Sequence, residues 1–356
     1  MKERMSVRQV CFILIAYNAV LKLIIYPSAA ASSSGNDLIF PALFDLAVQT
    51  AIIWSIAYLS SRTDKSFFQL LESTFNKVVA RIVYALFALY FILAAIVPMV
   101  EQQLLIHSAF YDTVPSLYVF LPFFIFSIYA GAKSFTNSGR CADICLPVFL
   151  ISITAILVMS AGQGEYSNLL PVFSHSVPSL FGGALSAAFK YADSAFLLIF
   201  MGSFRYKKGD AAKITLSYLF GGLIVIALLA IFYAVYGAMA PSRTFLLNEI
   251  SVFFPAISYV GRIDLTLLYA LDIVILFAII LHIQASVHCL SLAFGWDKRS
   301  ALSLIVNAVL IVITFVVNNK FSPLYQAASR WFWIPALIFA YVLPLCAWLL
   351  KRGDKR

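Results

Sequence analysis

Two stretches of this sequence decide its fold: RQVCFILIAYNAVLKLIIYPSAAA, residues 8–31, and SLFGGALSAAFKYADSAFLLIFMGS, residues 179–203. Each is apolar and long enough to cross about 30 Å of hydrocarbon as an α-helix. Each also carries an interruption, since Pro27 and a run of small residues end the first stretch and Gly182 and Gly183 open the second. Because Pro and Gly interrupt membrane helices, we expect two broken transmembrane helices.

The whole chain has the composition of a membrane protein. Of its 356 residues, 62% are hydrophobic and 12% are charged, whereas soluble domains carry about 25% charged residues. So few charges cannot coat a water-soluble body, and lipid is therefore the solvent for most of the chain. The net charge of +9 would suggest nucleic acid as a partner of a soluble protein. Here the basic residues lie at predicted helix ends, so we expect no nucleic-acid binding.

Ten apolar segments are long enough to span a bilayer, and at these lengths only helices satisfy the backbone in lipid. The predicted fold class is an all-α membrane protein of about ten transmembrane helices, with residues 1–356 forming a single transmembrane domain. The ten predicted spans, numbered in chain order, are residues 8–31, 38–60, 79–104, 115–132, 141–161, 179–203, 212–239, 262–294, 300–318 and 330–350.

The Lys and Arg residues predict the orientation of the chain. The N-terminus, the loops after spans 2, 4, 6 and 8, and the C-terminal tail hold 19 of the 25, whereas the other loops hold 4. Cytoplasmic loops are enriched in Lys and Arg. We therefore expect a multi-pass protein of the cell membrane with both termini in the cytoplasm.

Ten spans divide into two halves of five, at about residues 8–161 and 179–350. Because five is odd, similar halves must have opposite orientations in the membrane. The predicted architecture is a 5+5 inverted repeat in which spans 1 and 6 are broken. Such repeats place a binding site at mid-membrane, where the broken helices meet. The alternative is a pair of kinks without a site, because membrane helices tolerate Pro and Gly.

Ionisable side chains inside the spans need a partner or a water-filled cavity and often mark function. The candidates are Lys22, Asp45, Glu101, Lys190, Asp193, Asp272 and His282.

Lys22 and Asp193 lie near the middle of the two broken spans, one in each half. In an inverted repeat these positions face each other, so we predict a Lys–Asp ion pair. A ligand that carries an amine and a carboxylate would compete for both partners. A fixed structural ion pair is the alternative. Lys190 precedes Asp193 by three residues, close enough on a helix to share its carboxylate.

Other ionisable groups give weaker signals. Glu101 is predicted near the outer end of span 3, either as a gate or as a helix-end group, and Asp272 lies deep in span 8 and requires a partner. His282 and His288 do not share a helix face, which argues against a metal site. The sequence has no catalytic motif and no phosphate-binding glycine loop. We therefore expect no enzyme, no cofactor and no metal, but binding or translocation of a small molecule.

Several stretches resemble the permease-like B subunits of bacterial spore germinant receptors, a branch of the amino acid–polyamine–organocation transporter superfamily. They are Ser6 to Gln9, Tyr26-Pro27-Ser28 followed by Gly35-Asn36-Asp37, the set Arg140, Asp143 and Pro147, the outer-loop sequence Asn168 to Val172, and Gly261 to Asp264.

The resemblance implies a ten-helix fold with spans 1 and 6 unwound at the centre. It also implies a protein that senses a small-molecule germinant, often an amino acid, in the spore inner membrane together with an A-type membrane subunit and a C-type lipoprotein. Spans 3 and 8 would complete the ligand pocket. The ligand-contacting residues that it implies are Val20, Leu21, Lys22, Leu23, Tyr191, Ala192, Asp193 and Ser194.

This sequence departs from the family pattern at two positions. Many relatives have Gly-x-Gly in the break of span 1, where this chain has Val20-Leu21-Lys22, and Asp193 stands where relatives more often carry Glu. Lys22 then supplies the positive charge that backbone amides would otherwise offer to a carboxylate. Three functions remain open. The first is a sensor that signals to partner subunits, and the second is an autonomous proton-coupled transporter of amino acids or amines in which Asp193 or Glu101 carries the proton. The third is a structural membrane scaffold that binds no ligand.

Overall fold

The computed structural model describes residues 4–63, 65–110, 113–204, 206–246, 263–318 and 321–353. Gly261 and Arg262, which belong to the family resemblance, lie outside these residues. Within the described part of the chain, seven helical segments are long and apolar enough to cross a membrane, and three shorter apolar helices complete a set of ten. The prediction of an all-α membrane protein with about ten spans is confirmed.

The spans keep the numbers given above. Their observed bounds are Val7–Val20 and Tyr26–Ser34 (span 1), Ile39–Ser60 (span 2), Lys77–Phe110 (span 3), Ser116–Gly131 (span 4), Phe135–Ala161 (span 5), Val177–Ala187 and Ser194–Phe200 (span 6), Asp210–Tyr236 (span 7), Ile263–Phe294 (span 8), Arg299–Asn318 (span 9), and Trp333–Ala336, a π-helix at Leu337–Val342 and Leu343–Gly353 (span 10). Two further helices, Phe67–Thr74 and Phe321–Trp331, connect spans.

Spans 1 and 6 are both broken, and the packing of their neighbours follows the inverted repeat. The first half of span 1 packs along span 7, both halves of span 6 pack against span 2, and spans 3 and 8 form the most extensive helix pair. In an inverted repeat, spans 1, 2 and 3 correspond to spans 6, 7 and 8. The contact between spans 1 and 7 therefore corresponds to the contact between spans 6 and 2, and the contact between spans 3 and 8 corresponds to itself. The second segment of span 1, Tyr26–Ser34, and the first segment of span 6, Val177–Ala187, also pack together. The breaks therefore face each other at the centre of the bundle.

The outward-facing surface is apolar. Among the most exposed large side chains are Ile125 on span 4 and Ile144, Ile151 and Val158 on span 5, each at least 70% exposed. Such side chains are stable on the outside of a helix when lipid, rather than water, surrounds it.

Two of the family-like stretches meet in a cluster between the two halves of the chain. The fully buried carboxylate of Asp37 accepts hydrogen bonds from the backbone N–H groups of Phe173 (2.6 Å) and His175 (2.9 Å) and from the hydroxyl of Ser174 (2.9 Å). The His175 ring lies 3.1 Å from the same carboxylate. Gly35 adopts φ +51°, and a Cβ there would lie 2.9 Å from the His175 ring. These contacts fix the connection between spans 1 and 2 against the connection between spans 5 and 6.

Two other family-like stretches meet at the opposite end of the bundle. Arg8 donates to one oxygen of Asp143 at 3.1 Å, and Gln9 donates to the other at 2.9 Å. Span 1 thus begins against the start of span 5.

Candidate functional site

The break in span 1 covers residues 21–25 and leaves the carboxyl end of the first helix facing the centre of the protein. The last carbonyl groups of a helix have no partner within it. The ammonium group of Lys22 occupies this position and donates to the backbone carbonyl of Asn18 at 2.7 Å and to its side-chain oxygen at 2.8 Å. A positive charge at this end also complements the helix dipole.

The break in span 6 places a carboxylate opposite this ammonium group. A short 3₁₀-helix, Ala188–Tyr191, replaces the α-helix, and Asp193 then directly precedes the helix Ser194–Phe200. A negative charge at a helix N-terminus is favourable for the same reason. Lys22 Nζ lies 2.8 Å from Asp193 Oδ2, and both side chains are buried, 0% and 4% exposed. The structure therefore brings together the two residues that the sequence analysis paired.

Three more side chains support this ion pair. The hydroxyl of Tyr218 on span 7 donates to the same Asp193 oxygen at 2.9 Å. The amide of Asn18 donates to the Tyr218 carbonyl at 2.7 Å, and the Lys22 ammonium lies 4.7 Å from the centre of the Tyr191 ring. The pair is thus held by spans 1, 6 and 7 together.

A second buried ion pair lies nearby. Lys190 Nζ is 2.6 Å from Glu101 Oε1, and the two side chains are 5% and 0% exposed. The sequence analysis left open that Lys190 shares the carboxylate of Asp193. In the structure the Lys190 ammonium group pairs with Glu101, and the chain from Lys190 to Asp193 is not α-helical. The prediction that Glu101 lies near the end of span 3 is wrong, because that helix continues for nine residues beyond it.

A cavity of about 600 Å³, open space at its mouth included, adjoins both ion pairs. Its polar lining comes from Tyr17, Lys190, Asp193 and His282. Its apolar lining comes from spans 1, 3, 6 and 10, and includes Leu21, Tyr90, Leu93, Val97, Phe189, Ala192, Phe332 and Pro335. Ligand pockets typically combine such apolar walls with a few polar groups.

The floor of this cavity contains a hydrogen-bonded Tyr–His pair. Tyr17 Oη lies 2.7 Å from His282 Nε2, and the rings are stacked with centroids 4.9 Å apart. His282 Nδ1 lies 3.2 Å from the Ala278 carbonyl, which can only accept. Nδ1 therefore carries the hydrogen, and in a neutral ring Nε2 accepts from Tyr17. The pair links span 1 to span 8 beside the break.

Comparisons with known proteins identify the family of the chain. The family profile described as "Spore germination protein" matches residues 4–322. The chain belongs to this spore germination protein family. Two solved structures share its fold. One, titled "Crystal structure of MhsT in complex with L-phenylalanine", is 13% identical with a TM-score of 0.59, over 99% of this chain and 100% of that chain.

The other structure is that of a mutant manganese transporter from Eremococcus coleocola. It is 10% identical with a TM-score of 0.57, and the match covers 96% of this chain and 78% of that chain. A search of curated protein sequences finds no significant match. Both solved structures share the fold of this chain.

The structure distributes the implied ligand-contacting residues of this spore germination protein over two environments. Leu21, Ala192 and Asp193 line the cavity, as does the neighbouring Lys190. The rest lie in the buried layer behind it. They are Val20, Lys22, Leu23, Tyr191 and Ser194. Ser194 fastens the second break, since its backbone N–H donates to Gln49 at 3.3 Å and its hydroxyl donates to the Ala340 carbonyl in the π-helix of span 10.

The sequence analysis named no partner for Asp272. In the structure, the side-chain amide of Gln102 on span 3 donates to its carboxylate at 2.7 Å. It does not line the cavity. Among the residues that the structure describes, no cluster of His, Cys, Asp or Glu side chains is arranged to hold a metal ion.

Sequence reasoning missed two groups of site residues in this family member. The implied pocket of spans 1, 3, 6 and 8 is incomplete, because Phe332 and Pro335 of span 10 also line the cavity. Tyr17 and Tyr218 were missed because each lies on a helix face without a charge. One signal was available: Tyr17, Asn18 and Leu21 lie within about one turn of Lys22, on the turn that the break exposes.

Proposed function

We propose that this protein is the permease-like subunit of a germinant receptor that binds a small polar metabolite, of the amino acid class, in the cavity between spans 1, 3, 6, 8 and 10. The observation that carries the proposal is the buried Lys22–Asp193 pair, which joins the two broken helices beside that cavity. Membership of the spore germination family supports the cellular role. The proposal involves no catalysis.

The lining of the cavity supports an amino acid as ligand. Asp193 and Lys190 offer opposite charges at its edge, and Leu93, Val97 and Phe189 form an apolar wall. An ammonium group would compete for Asp193 and a carboxylate for one of the lysines, while an apolar side chain would fill the remainder. The structural neighbour whose title names L-phenylalanine supports the capacity of this fold for such a ligand.

Signalling requires that the ligand bind one state of the bundle better than another. A ligand that competes for Asp193 would weaken the ion pair between the breaks in spans 1 and 6. It would therefore bind better to the state in which this ion pair is open. We propose that the resulting shift passes to an A-type membrane subunit and a C-type lipoprotein in the spore inner membrane. In this arrangement the Lys- and Arg-rich termini and loops lie on the cytoplasmic side.

A second candidate is an autonomous proton-coupled transporter of amino acids or amines. The observations that favour it are the transporter fold of the manganese transporter neighbour and the buried carboxylates Glu101 and Asp193. In that case the protein would move solute without partner subunits.

A thermal-shift screen of the purified protein against amino acids, sugars and nucleosides tests binding. We expect stabilisation by one or more amino acids and loss of that response in Asp193→Asn. The matched control is Asp143→Asn, which removes a partly exposed carboxylate from the Arg8 contact at the end of the bundle and should leave the response intact. Equal responses of both variants would contradict the site assignment.

Uptake of the labelled hit into liposomes separates the two functions. Accumulation by the protein alone would support the transporter. Binding without accumulation, together with signalling that requires the partner subunits, would support the receptor.

A further inference from the structure

Asp45 on span 2 is a buried carboxylate that the proposed function does not use. The residue is 4% exposed, and its Oδ2 atom is fully enclosed without a hydrogen-bond partner. Among the described residues, no hydrogen bond or ion pair reaches this carboxylate. One turn further along span 2, Gln49 accepts from the backbone of Ser194. Asp45 therefore lies on the face of span 2 that packs against the break in span 6.

Five ionisable groups from four spans lie within electrostatic range of Asp45. Lys22 and Tyr26 lie on span 1, Tyr191 on span 6, Tyr218 on span 7 and Tyr341 on span 10. Four of these five groups are phenols, and Lys22 is the single cation among them.

Lys22 already uses its three N–H donors. They go to the Asn18 carbonyl, the Asn18 side chain and Asp193. Two of the phenolic hydrogens are also used, since Tyr218 donates to Asp193 and Tyr26 to Tyr191. Lys22 therefore interacts with Asp45 only through charge and has no N–H donor left for it.

The charges of the region do not balance if all groups are ionised. Lys22 pairs with Asp193 and Lys190 with Glu101, which leaves Asp45 as an additional carboxylate. An ionised carboxylate without a hydrogen bond or counter-ion is strongly unfavourable inside a protein. A carboxylic acid that holds its proton removes this cost.

We propose that Asp45 is the alternative counter-ion of Lys22: it holds a proton in the ligand-free protein and releases it when the ammonium group of a ligand takes Asp193. This inference rests on the proposed function. In the balanced step, the ligand ammonium pairs with the Asp193 carboxylate, the freed Lys22 ammonium pairs with the Asp45 carboxylate, and the Asp45 proton leaves to water. The charges of the ligand ammonium, Lys22, Asp193 and Asp45 thus balance before and after the exchange, and the carboxylate of an amino acid ligand would compete for Lys190 at the cavity. The site would therefore select ligands with an ammonium group.

Proton release on binding tests the exchange. Titration calorimetry in two buffers with different ionisation enthalpies counts the protons, with L-phenylalanine as the first probe and the hit of the thermal-shift screen as the second. We expect about one proton released per ligand, and an affinity that falls about tenfold for each pH unit below neutrality. In Asp45→Asn, which has the shape of the neutral acid, we expect no release and a pH-independent affinity. Equal proton release by the variant and the native protein would overturn the proposal.

A second measurement needs no ligand. Infrared spectroscopy of the ligand-free protein at neutral pH should show the carbonyl stretch of a protonated carboxylic acid, and Asp45→Asn should lack that component. Asp272→Asn, which alters the carboxylate held by Gln102, is the control. An unchanged band in Asp45→Asn would refute the protonation of Asp45. If no probe binds but the band disappears, the proposed function fails while the protonation of Asp45 stands.

Discussion

The Lys22–Asp193 pair allows a quantitative test of how the two broken spans are held together. Lys22 makes three hydrogen bonds of 2.7–2.8 Å, and Asp193 Oδ2 accepts from both Lys22 and Tyr218. Replacing Lys22 with Met leaves Asp193 as a buried carboxylate with one donor. Replacing Asp193 with Asn leaves a buried ammonium group with two neutral acceptors.

Removing one partner of a buried ion pair destabilises a protein by about 3–5 kcal/mol, because the other charge stays buried without compensation. We expect Lys22→Met to lose a free energy of unfolding in this range. Asp193→Asn should lose less, because Asp45 can release its proton and supply Lys22 with another carboxylate. The double variant has no charge left to compensate. We therefore expect it to lose about 3 kcal/mol less than the sum of the two single losses.

Unfolding in a graded denaturing detergent, followed by tryptophan fluorescence, measures these free energies. The control cycle is Arg8→Ala with Asp143→Asn. Arg8 is 68% exposed and Asp143 is 26% exposed, so this pair is in contact with solvent and should contribute no more than about 1 kcal/mol. Additivity of the Lys22 and Asp193 losses within about 0.5 kcal/mol would show that the pair does not couple the two breaks, and the reasoning above would be refuted.

Three further predictions concern other parts of the molecule. Gly221→Ala should lower the free energy of unfolding by about 1–3 kcal/mol, because the new Cβ would lie 2.9 Å from a backbone oxygen of span 1. The control is Gly182→Ala. It has open space around it and should not destabilise the fold. Glu101→Gln should lower the midpoint of thermal unfolding, because the Lys190 charge loses the carboxylate with which it pairs. Adding Lys190→Met to this variant should restore part of the lost thermal stability. No restoration would contradict the pairing. Burial by itself would raise the pKa of Asp37, but the hydrogen bonds to this carboxylate outweigh burial and hold its pKa below the ordinary value. The carboxylate of Asp37 therefore stabilises the fold fully above about pH 4, and this stabilisation is lost as the pH falls through the lower pKa of the folded state. In Asp37→Asn, the free energy of unfolding should depend less on pH in the acid range.

The sequence predicted the spans because hydrocarbon thickness sets a minimum apolar length that a helix must meet. It predicted the Lys22–Asp193 contact for a related reason. A charge in the middle of each broken helix is unfavourable in lipid unless it has a partner. An inverted repeat brings the two midpoints together. Both inferences use constraints that act along the whole length of a span.

The errors arise where local geometry decides. Pairing Lys190 with Asp193 assumes α-helical spacing, but the 3₁₀-helix and the break that follows it change the direction of the chain. Placing Glu101 near a helix end fails because the apolar segment ends before the helix does. The contact of Gln102 with Asp272 joins spans 3 and 8, and no pattern along the sequence carries such a pairing.

The break in span 1, residues 21–25, forms without a glycine, and the contacts of Lys22 stabilise it. A break exposes carbonyl groups that lipid cannot satisfy, and the ammonium group binds one of them together with a carboxylate of the opposite half. The charge that joins the two breaks is thus part of the chain and cannot dissociate. Under the proposed receptor function, a ligand must therefore supply its own ammonium group to Asp193 before the two breaks can separate, whereas a site joined by a dissociable cation could open when that cation leaves.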